Sequence, residues 1–561
     1  MTSAQETEAW QKIATLRQLE RDSAISRWSK QLLGSSTPSL PPVDAVSVRD
    51  WAVQSGHLNE KQMKITNSVP SHLLNEMANG TWTAEEVLVA FIVRAIIAHH
   101  LTNPITDVFF EKGLARAREL DSWLQKTGKT VGPLHGLPLS LKDVMNLEGH
   151  ATTLGFVALA DNIQLQSDDL VARLREAGAV FYCKTNVPQS LMSGECHNLL
   201  YGRTSTPDNR SLSAGGSSGG EGTLIALKGS PLGIGTDIAG SIRTPANFNG
   251  VYGLCPTSGR LPCHSASNSP IDYITGVAGP ISSSVDGLEV YMKTVLCLKP
   301  WEWDATCIEK PWDNASYGEV KDRKLCFGIL SHDGVVRPHR PIQRGLEEVR
   351  ASLERAGHCV VDVDLLKASD DLWDTAARLF CADGGEALRG MLAVLPEPPI
   401  KEIVIPDPSM ALSAADLSAL GKKLNKIRQA FLERWEATRT ISGTGRPIDV
   451  CILPSGGHVA PPHGTMSYFL YECISNILDW PCATIPVGNV DPQVDGMPGH
   501  GTGFQPMSKE DQENHDKYSP KAYENGAICL QVLGPRYREE TILAAMKVID
   551  KALGRDDNHV A

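Results

Sequence analysis

Apolar positions are spread unevenly along the chain, and where they cluster their spacing selects an element. The longest apolar run, residues 87–98, carries one charge, Arg94. It is too short for a bilayer span, which needs about 20 residues, so it predicts a buried helix. Thr83-Ala84-Glu85-Glu86 in front of it reads as a capping box, in which the threonine hydroxyl and a glutamate carboxylate each satisfy an N–H that the helix start leaves open. A second helical pattern covers residues 113–124. Upstream, Trp10, Ile13, Ile25, Trp28 and Leu32 recur at loosely helical spacing within residues 6–33, and the loop SSTPSLPPVD closes that segment at residues 35–44.

Shorter apolar runs read as strands. Residues 137–141 form one that ends on Lys142, and residues 231–235 form another. Residues 324–329 and 360–363 flank a helical pattern at 341–356, residues 450–454 and 483–487 read as buried strands, and 538–553 as the last helix. Strands alternating with helices predict an α/β class. Residues 383–423 show no dependable period, and no internal repeat or low-complexity tract occurs.

At 561 residues the length alone would allow several domains. A formal net charge of -12 disfavours nucleic acid or an anionic membrane as partner. The start, MTSAQETEAWQK, has no basic region followed by an apolar core, so no signal peptide and a cytoplasmic location are expected. The 13 cysteines lack CxxC pairs, and their odd number suits free thiols in a reducing compartment. Residues 1–64 read as a helical N-terminal arm and linker. Its mixed charges favour packing on the core or on a second subunit of a homodimer over lying on a membrane.

Candidate chemistry concentrates in residues 214–245, where Ser217 and Ser241 each sit in a glycine-rich turn. Gly215, Gly216, Gly219, Gly220 and Gly240 allow positive φ or close backbone approach, which frees N–H groups for an anion. The apolar run between the turns would place both serines at the rim of one sheet. GGSSG meets the hydrolase elbow G-x-S-x-G formally, but Leu212-Ser213-Ala214 is a poor strand to precede it. The phosphate-cradling GxxxxGK[ST] is absent, and a flexible linker would not carry the apolar run. Glu195-Cys196-His197 lacks the paired ligand spacing of a zinc site, so no metal is assigned. Lys142, at the end of an apolar segment, is expected to be partly buried.

At these residues the chain resembles the amidase signature family, marked by GxPxxxKD, GGSSGG and GTDxGGSxRxP. They stand here in order at residues 136–143, 215–220 and 235–245, with KTNVPQ at 184–189 and ICLQVLG at 528–534 as further matches. The resemblance, closest to fungal acetamidase-like amidases with fatty acid amide hydrolases near, covers about residues 69–554. It implies a mixed, twisted central sheet with helices on both faces, residues 65–561 being one catalytic domain.

The resemblance also implies roles. Ser241 becomes the nucleophile that forms an acyl-enzyme, Ser217 relays its proton, and Lys142 is the terminal base, which must be neutral. A free lysine titrates near 10.4, and lowering it by roughly three units takes about 4 kcal/mol, which desolvation can supply. The Gly216–Ser217 peptide is expected to be cis. The N–H groups of Ile238, Ala239, Gly240 and Ser241 would form an oxyanion hole, Leu191 would line the substrate site, Ser218 would hydrogen-bond Lys142, and Asp237 would pair with Arg243. Where the family commonly has glycine this chain has Ala239, expected to narrow the acyl site without positive φ.

The implied activity is cofactor-independent hydrolysis of small aliphatic or aryl amides such as acetamide. Fatty amides and specialised metabolites are alternative substrates. Two rivals differ in class: a glutamine-hydrolysing amidotransferase subunit, which would depend on partners, and a binding protein with a dead site, which would not react with serine-directed probes.

Overall fold

The computed structural model describes residues 3–263, 273–367, 371–496, 504–556 and 560. Its strands are β1 (Ile105–Val108), β2 (Pro138–Lys142), β3 (Val180–Thr185), β4 (His197–Asn198), β5 (Gly202–Arg203), β6 (Leu232–Asp237), β7 (Tyr252–Cys255), β8 (Val277–Ser282), β9 (Cys326–Ile329), β10 (Cys359–Asp362), β11 (Val450–Pro454), β12 (Cys482–Asn489) and β13 (Ala527–Leu533). Eleven of them form one sheet in the order β1-β3-β2-β6-β8-β7-β12-β13-β11-β9-β10, and β4 pairs with β5 separately. Neighbours β3, β2 and β6 run parallel, as do β11, β9 and β10, while the pairs between β6 and β11 are antiparallel. The sheet is therefore mixed, in agreement with the expected fold class.

The strands read as unbroken apolar runs because both faces of the sheet are covered. On β11, Val450 and Ile452 join one core, while Cys451 and Leu453 join another on the opposite face, as the two-residue period of a strand requires. The first face is packed by the helices Arg340–Arg355 and Glu539–Ala552, through residues such as Leu346 and Ile542. The second is packed by Leu372–Phe380, Ala414–Ala437 and Leu470–Leu478, through residues such as Leu379, Phe431 and Ile474.

The predicted helix at 87–98 spans Ala84–Thr102, and its capping box forms: Thr83 accepts from the Glu86 N–H and Glu86 from the Thr83 N–H. The pattern at 113–124 becomes Phe110–Thr127. The N-terminal helix Ser3–Leu33 packs on the core of its own chain. Ile25 is fully buried, Ala14 lies with Val157, Ala160, Leu200 and Tyr201, and the Arg21 guanidinium donates to the Ile105 carbonyl at 3.2 Å. Farther along, Arg49 forks onto Asp208 at 2.5 and 2.9 Å.

Within residues 383–423, the helix Glu386–Val394 buries none of its residues, which explains the missing period. All thirteen cysteines are free thiols. Among the described residues, no helix is long and apolar enough to cross a membrane.

Candidate active site

Strands β2 and β6 are parallel neighbours in register at Ser140 with Gly233 and Leu141 with Ile234. Their carboxyl ends therefore open on one rim, where α/β sheets place their ligands. Lys142 is the last residue of β2 and Asp237 the last of β6. The Gly-Gly-Ser-Ser turn reaches the same rim and runs into the helix Gly219–Ala226. Glu221, on the first turn of that helix, accepts from Ser140 of β2 at 2.5 Å and from Thr185 of β3 at 2.8 Å. It thereby fixes the helix, and the serines before it, against two strands. Burial pushes its carboxyl up to about 7, opposed by the Ser140 and Thr185 hydroxyls.

Lys142 is fully buried, beyond the partial burial that the sequence suggests. Its Nζ lies 2.7 Å from Ser217 Oγ, 2.7 Å from Thr236 Oγ1 and 3.2 Å from the Thr236 carbonyl. Burial brings the amine down to about 7, against the raising pull of the Asp237 carboxylate. Desolvation dominates because no carboxylate bonds the amine directly. A lysine that is half neutral near physiological pH and touches a serine hydroxyl is equipped to accept its proton.

Ser218 does not make the expected hydrogen bond to Lys142. Thr236 occupies that side of the amine, and the buried Ser218 hydroxyl has no partner. It faces the backbone of β6 instead, since a Cβ on Gly235 would come within 2.9 Å of it. The Ser218 N–H does donate to the Ser241 carbonyl at 3.1 Å, which ties the two serine turns together.

The Gly216–Ser217 peptide is cis, as the resemblance implies. The chain from Ser193 to Glu195 crosses directly over it, leaving room only for glycine at 216: a Cβ there would meet the Ser193 carbonyl at 2.2 Å. Leu191, on the same loop, is half-buried with a left-handed φ of 63°.

The turn after β6 is organised by one carboxylate. Asp237 accepts from the N–H groups of Gly240 at 2.8 Å and Ile242 at 3.0 Å, from Asn476 at 2.9 Å, and from Arg243 Nε and Nη2 at 3.2 Å each. Arg243 in turn donates to Gln531 at 2.6 Å and Asn476 at 2.7 Å. The expected ion pair is thus the centre of a closed buried network. Burial opposes ionisation of Asp237, but Arg243 outweighs it and holds the carboxyl below its ordinary value.

This wiring distinguishes the four N–H groups expected for the oxyanion. The Gly240 N–H donates to Asp237 at 2.8 Å, whereas among the described residues those of Ile238, Ala239 and Ser241 have no hydrogen-bond partner. Ile238, Ala239 and Ser241 are half-buried, and Gly240 between them is buried. Gly240 takes φ 102°, and Ala239 is not among the residues with positive φ, so alanine is accommodated without backbone strain. The Ser241 hydroxyl makes no hydrogen bond to Ser217.

The sequence reading missed Thr236, Asn476, Gln531 and Glu221. Gln531 carries a signal, being the one polar side chain inside the apolar run of β13. Thr236 lies within GTD but escapes notice beside its charged neighbour, and Asn476 has no local cue.

Comparison with known proteins agrees with the geometry. The Amidase family model matches residues 86–543. An acetamidase of Aspergillus oryzae is 39% identical over 520 residues, covering 91% of this chain and 94% of its own. An acetamidase of Emericella nidulans is 36% identical, covering 98% of this chain and 99% of its own. Among solved structures, a fatty acid amide hydrolase superposes with TM-score 0.87 at 30% identity, over 97% of this chain and 96% of that one.

Proposed function

The chain belongs to the amidase family and is an enzyme that hydrolyses amides; from that premise we propose that it works through Ser241, Ser217 and Lys142 by way of an acyl-enzyme. The observation that carries this reading is the buried Lys142 amine, brought to about 7 and set 2.7 Å from Ser217 Oγ. Neutral Lys142 takes the Ser217 proton while Ser217 takes that of Ser241. Ser241 Oγ bonds to the amide carbon, and the carbonyl electron pair moves onto its oxygen. The resulting charge meets the N–H groups of Ile238, Ala239 and Ser241.

Collapse of the intermediate breaks the C–N bond, and the proton returns from Lys142 through Ser217 to the departing nitrogen. Water then attacks the ester by the same route, releasing the acid and restoring Ser241. The relay requires the Ser241 hydroxyl to rotate about χ1 toward Ser217, a change between staggered rotamers.

Small amides such as acetamide are the proposed substrates, supported by the two fungal acetamidases. The fatty acid amide hydrolase likeness favours a second reading with longer acyl chains, Leu191 and the exposed Met192 offering apolar surface. Rates over a series of acyl-chain lengths separate the two. No residue in the scheme needs a metal or cofactor. We take residues 65–561 as the catalytic unit, residues 1–64 as an arm held against it, and the cytoplasm as the place of action.

Ser241→Ala removes the only atom that can carry the acyl group. Hydrolysis of every amide substrate and labelling by a fluorophosphonate are expected to vanish together. Intact activity with the label on another serine would refute the assignment.

A further inference from the structure

The helix Leu470–Leu478 is buried along its whole length and lies behind the turn after β6. Three of its side chains reach that turn. Asn476 bridges Asp237 and Arg243, the Cys473 thiol donates to the Ala239 carbonyl at 3.9 Å, and Glu472 packs against Gly240. A Cβ on Gly240 would lie 2.6 Å from the Glu472 Cβ. Positions 472 and 476 are one helical turn apart with 473 beside them, so the three share a face.

Glu472 stands out because the scheme above does not use it. It is 1% exposed, and among the described residues neither carboxyl oxygen has a hydrogen-bond partner on another residue. One oxygen presses on Gly456, where a Cβ would come within 2.9 Å. A carboxylate buried without donors is far less stable than the neutral acid, and burial accordingly pushes this group up to about 8.

Burial outweighs its charged and titratable surroundings, in which only its own backbone N–H and Arg243 favour the anion. On the turn, the Arg243 guanidinium is spent on Asp237, Gln531 and Asn476. Asp333 faces it as a like charge held by the Tyr468 hydroxyl, Tyr471 donates to the Val336 carbonyl, and Cys473 is a buried thiol. His458, near Gly456, uses Nδ1 on the Val459 carbonyl, and burial holds it below its ordinary value. Arg428 is engaged at the far end of the helix, on the Ile477 carbonyl.

We propose that Glu472 is a positioning residue for the oxyanion turn: as a neutral carboxyl packed behind Gly240 it keeps the N–H groups of Ile238, Ala239 and Ser241 facing the reacting carbonyl, and its ionisation sets the alkaline limit of hydrolysis. An anion at 472 would oppose the negative charge developing on the other side of the turn. With Lys142 required neutral and Glu472 required protonated, the rate is bell-shaped in pH.

The inference rests on the Ser241 reading, and its test separates the two. The rate of amide hydrolysis and the rate of fluorophosphonate capture, with the labelled residue mapped, are followed from about pH 6 to about pH 10 in the native enzyme and in Glu472→Gln, which keeps the size but cannot ionise. The descending limb is expected to move upward, so that the ratio of activity at about pH 9.5 to that at about pH 7.5 rises roughly tenfold over the native enzyme. Capture at a residue other than Ser241 refutes the parent reading. Capture at Ser241 with an unchanged descending limb refutes the role of Glu472. Infrared difference spectra of the native protein with 13C-labelled glutamate supply a measurement that needs no variant: a protonated carboxyl must titrate with the midpoint of the alkaline limb, and its absence overturns the proposal.

Discussion

Lys142 illustrates how one side chain acquires a function from its surroundings. On β2 it could have ended in solvent; instead the sheet rim encloses it, and its contacts are two hydroxyls and a carbonyl rather than a carboxylate. Burial lowers its basicity, and the neighbouring Asp237 only moderates the effect. The sign of the pH dependence follows. The working form is the free base, so kcat is expected to rise as pH increases through about 7, by about tenfold per unit on the acid side. Stopped assays on an uncharged amide measure this limb, and a flat profile down to about pH 5 would show that no group with this property limits the rate.

The three residues proposed for the chemistry were legible because each sits in a short motif of unusual glycine content or at the end of an apolar run. Thr236 and Glu472 were not. The first is hidden among the charged and glycine positions of its own motif, and the second becomes noticeable only when its lack of partners is visible.

At the scale of elements, the turn after β6 depends on contacts from distant parts of the chain. Asp237 gathers three backbone N–H groups of its own turn, while Asn476 and Gln531 arrive from a helix and a strand more than two hundred residues away. Asn476 has no local cue and Gln531 only its polarity within an apolar strand, whereas the Asp237–Arg243 pair was expected from the family resemblance. The helix Leu470–Leu478 has an apolar stripe like any core helix, and nothing in that stripe marks the polar face as support for a turn.

Breaking one partner of a buried pair leaves the other charge uncompensated, at a cost of about 3–5 kcal/mol. Arg243→Ala is therefore expected to lose about that much in denaturant unfolding, and to lower kcat by loosening the turn. Arg243→Lys should recover only part of either, because an ammonium cannot fork onto Asp237, Gln531 and Asn476 together. A stability change below about 1 kcal/mol for the alanine variant would mean that the network does not brace the turn.

For the molecule as a whole, the class was readable from alternating runs: residues 450–454 and 483–487 fall on β11 and β12, and 341–356 on the helix Arg340–Arg355. The order of the strands was not readable, because β8 inserts between β6 and β7 and β13 between β12 and β11, pairings that depend on crossovers rather than on any run. The arm, too, had an open destination in the sequence, and Ile25 and Arg21 show that it packs on its own chain. The sheet's contribution to function is to bring the ends of β2 and β6 to one rim, so that a lysine and two serine turns from three segments meet. That meeting carries the proposed chemistry.

It is tested most directly by a matched amide and ester of the same acyl group, assayed with the native enzyme and Lys142→Ala. An amine departs only when protonated, whereas an alkoxide leaves with less help. The variant is expected to lose amide hydrolysis at least tenfold more severely than ester hydrolysis, a difference of about 1.4 kcal/mol in the barrier. Equal losses for both substrates would contradict Lys142 as the proton donor to the leaving group and reduce it to a prop beside Ser217.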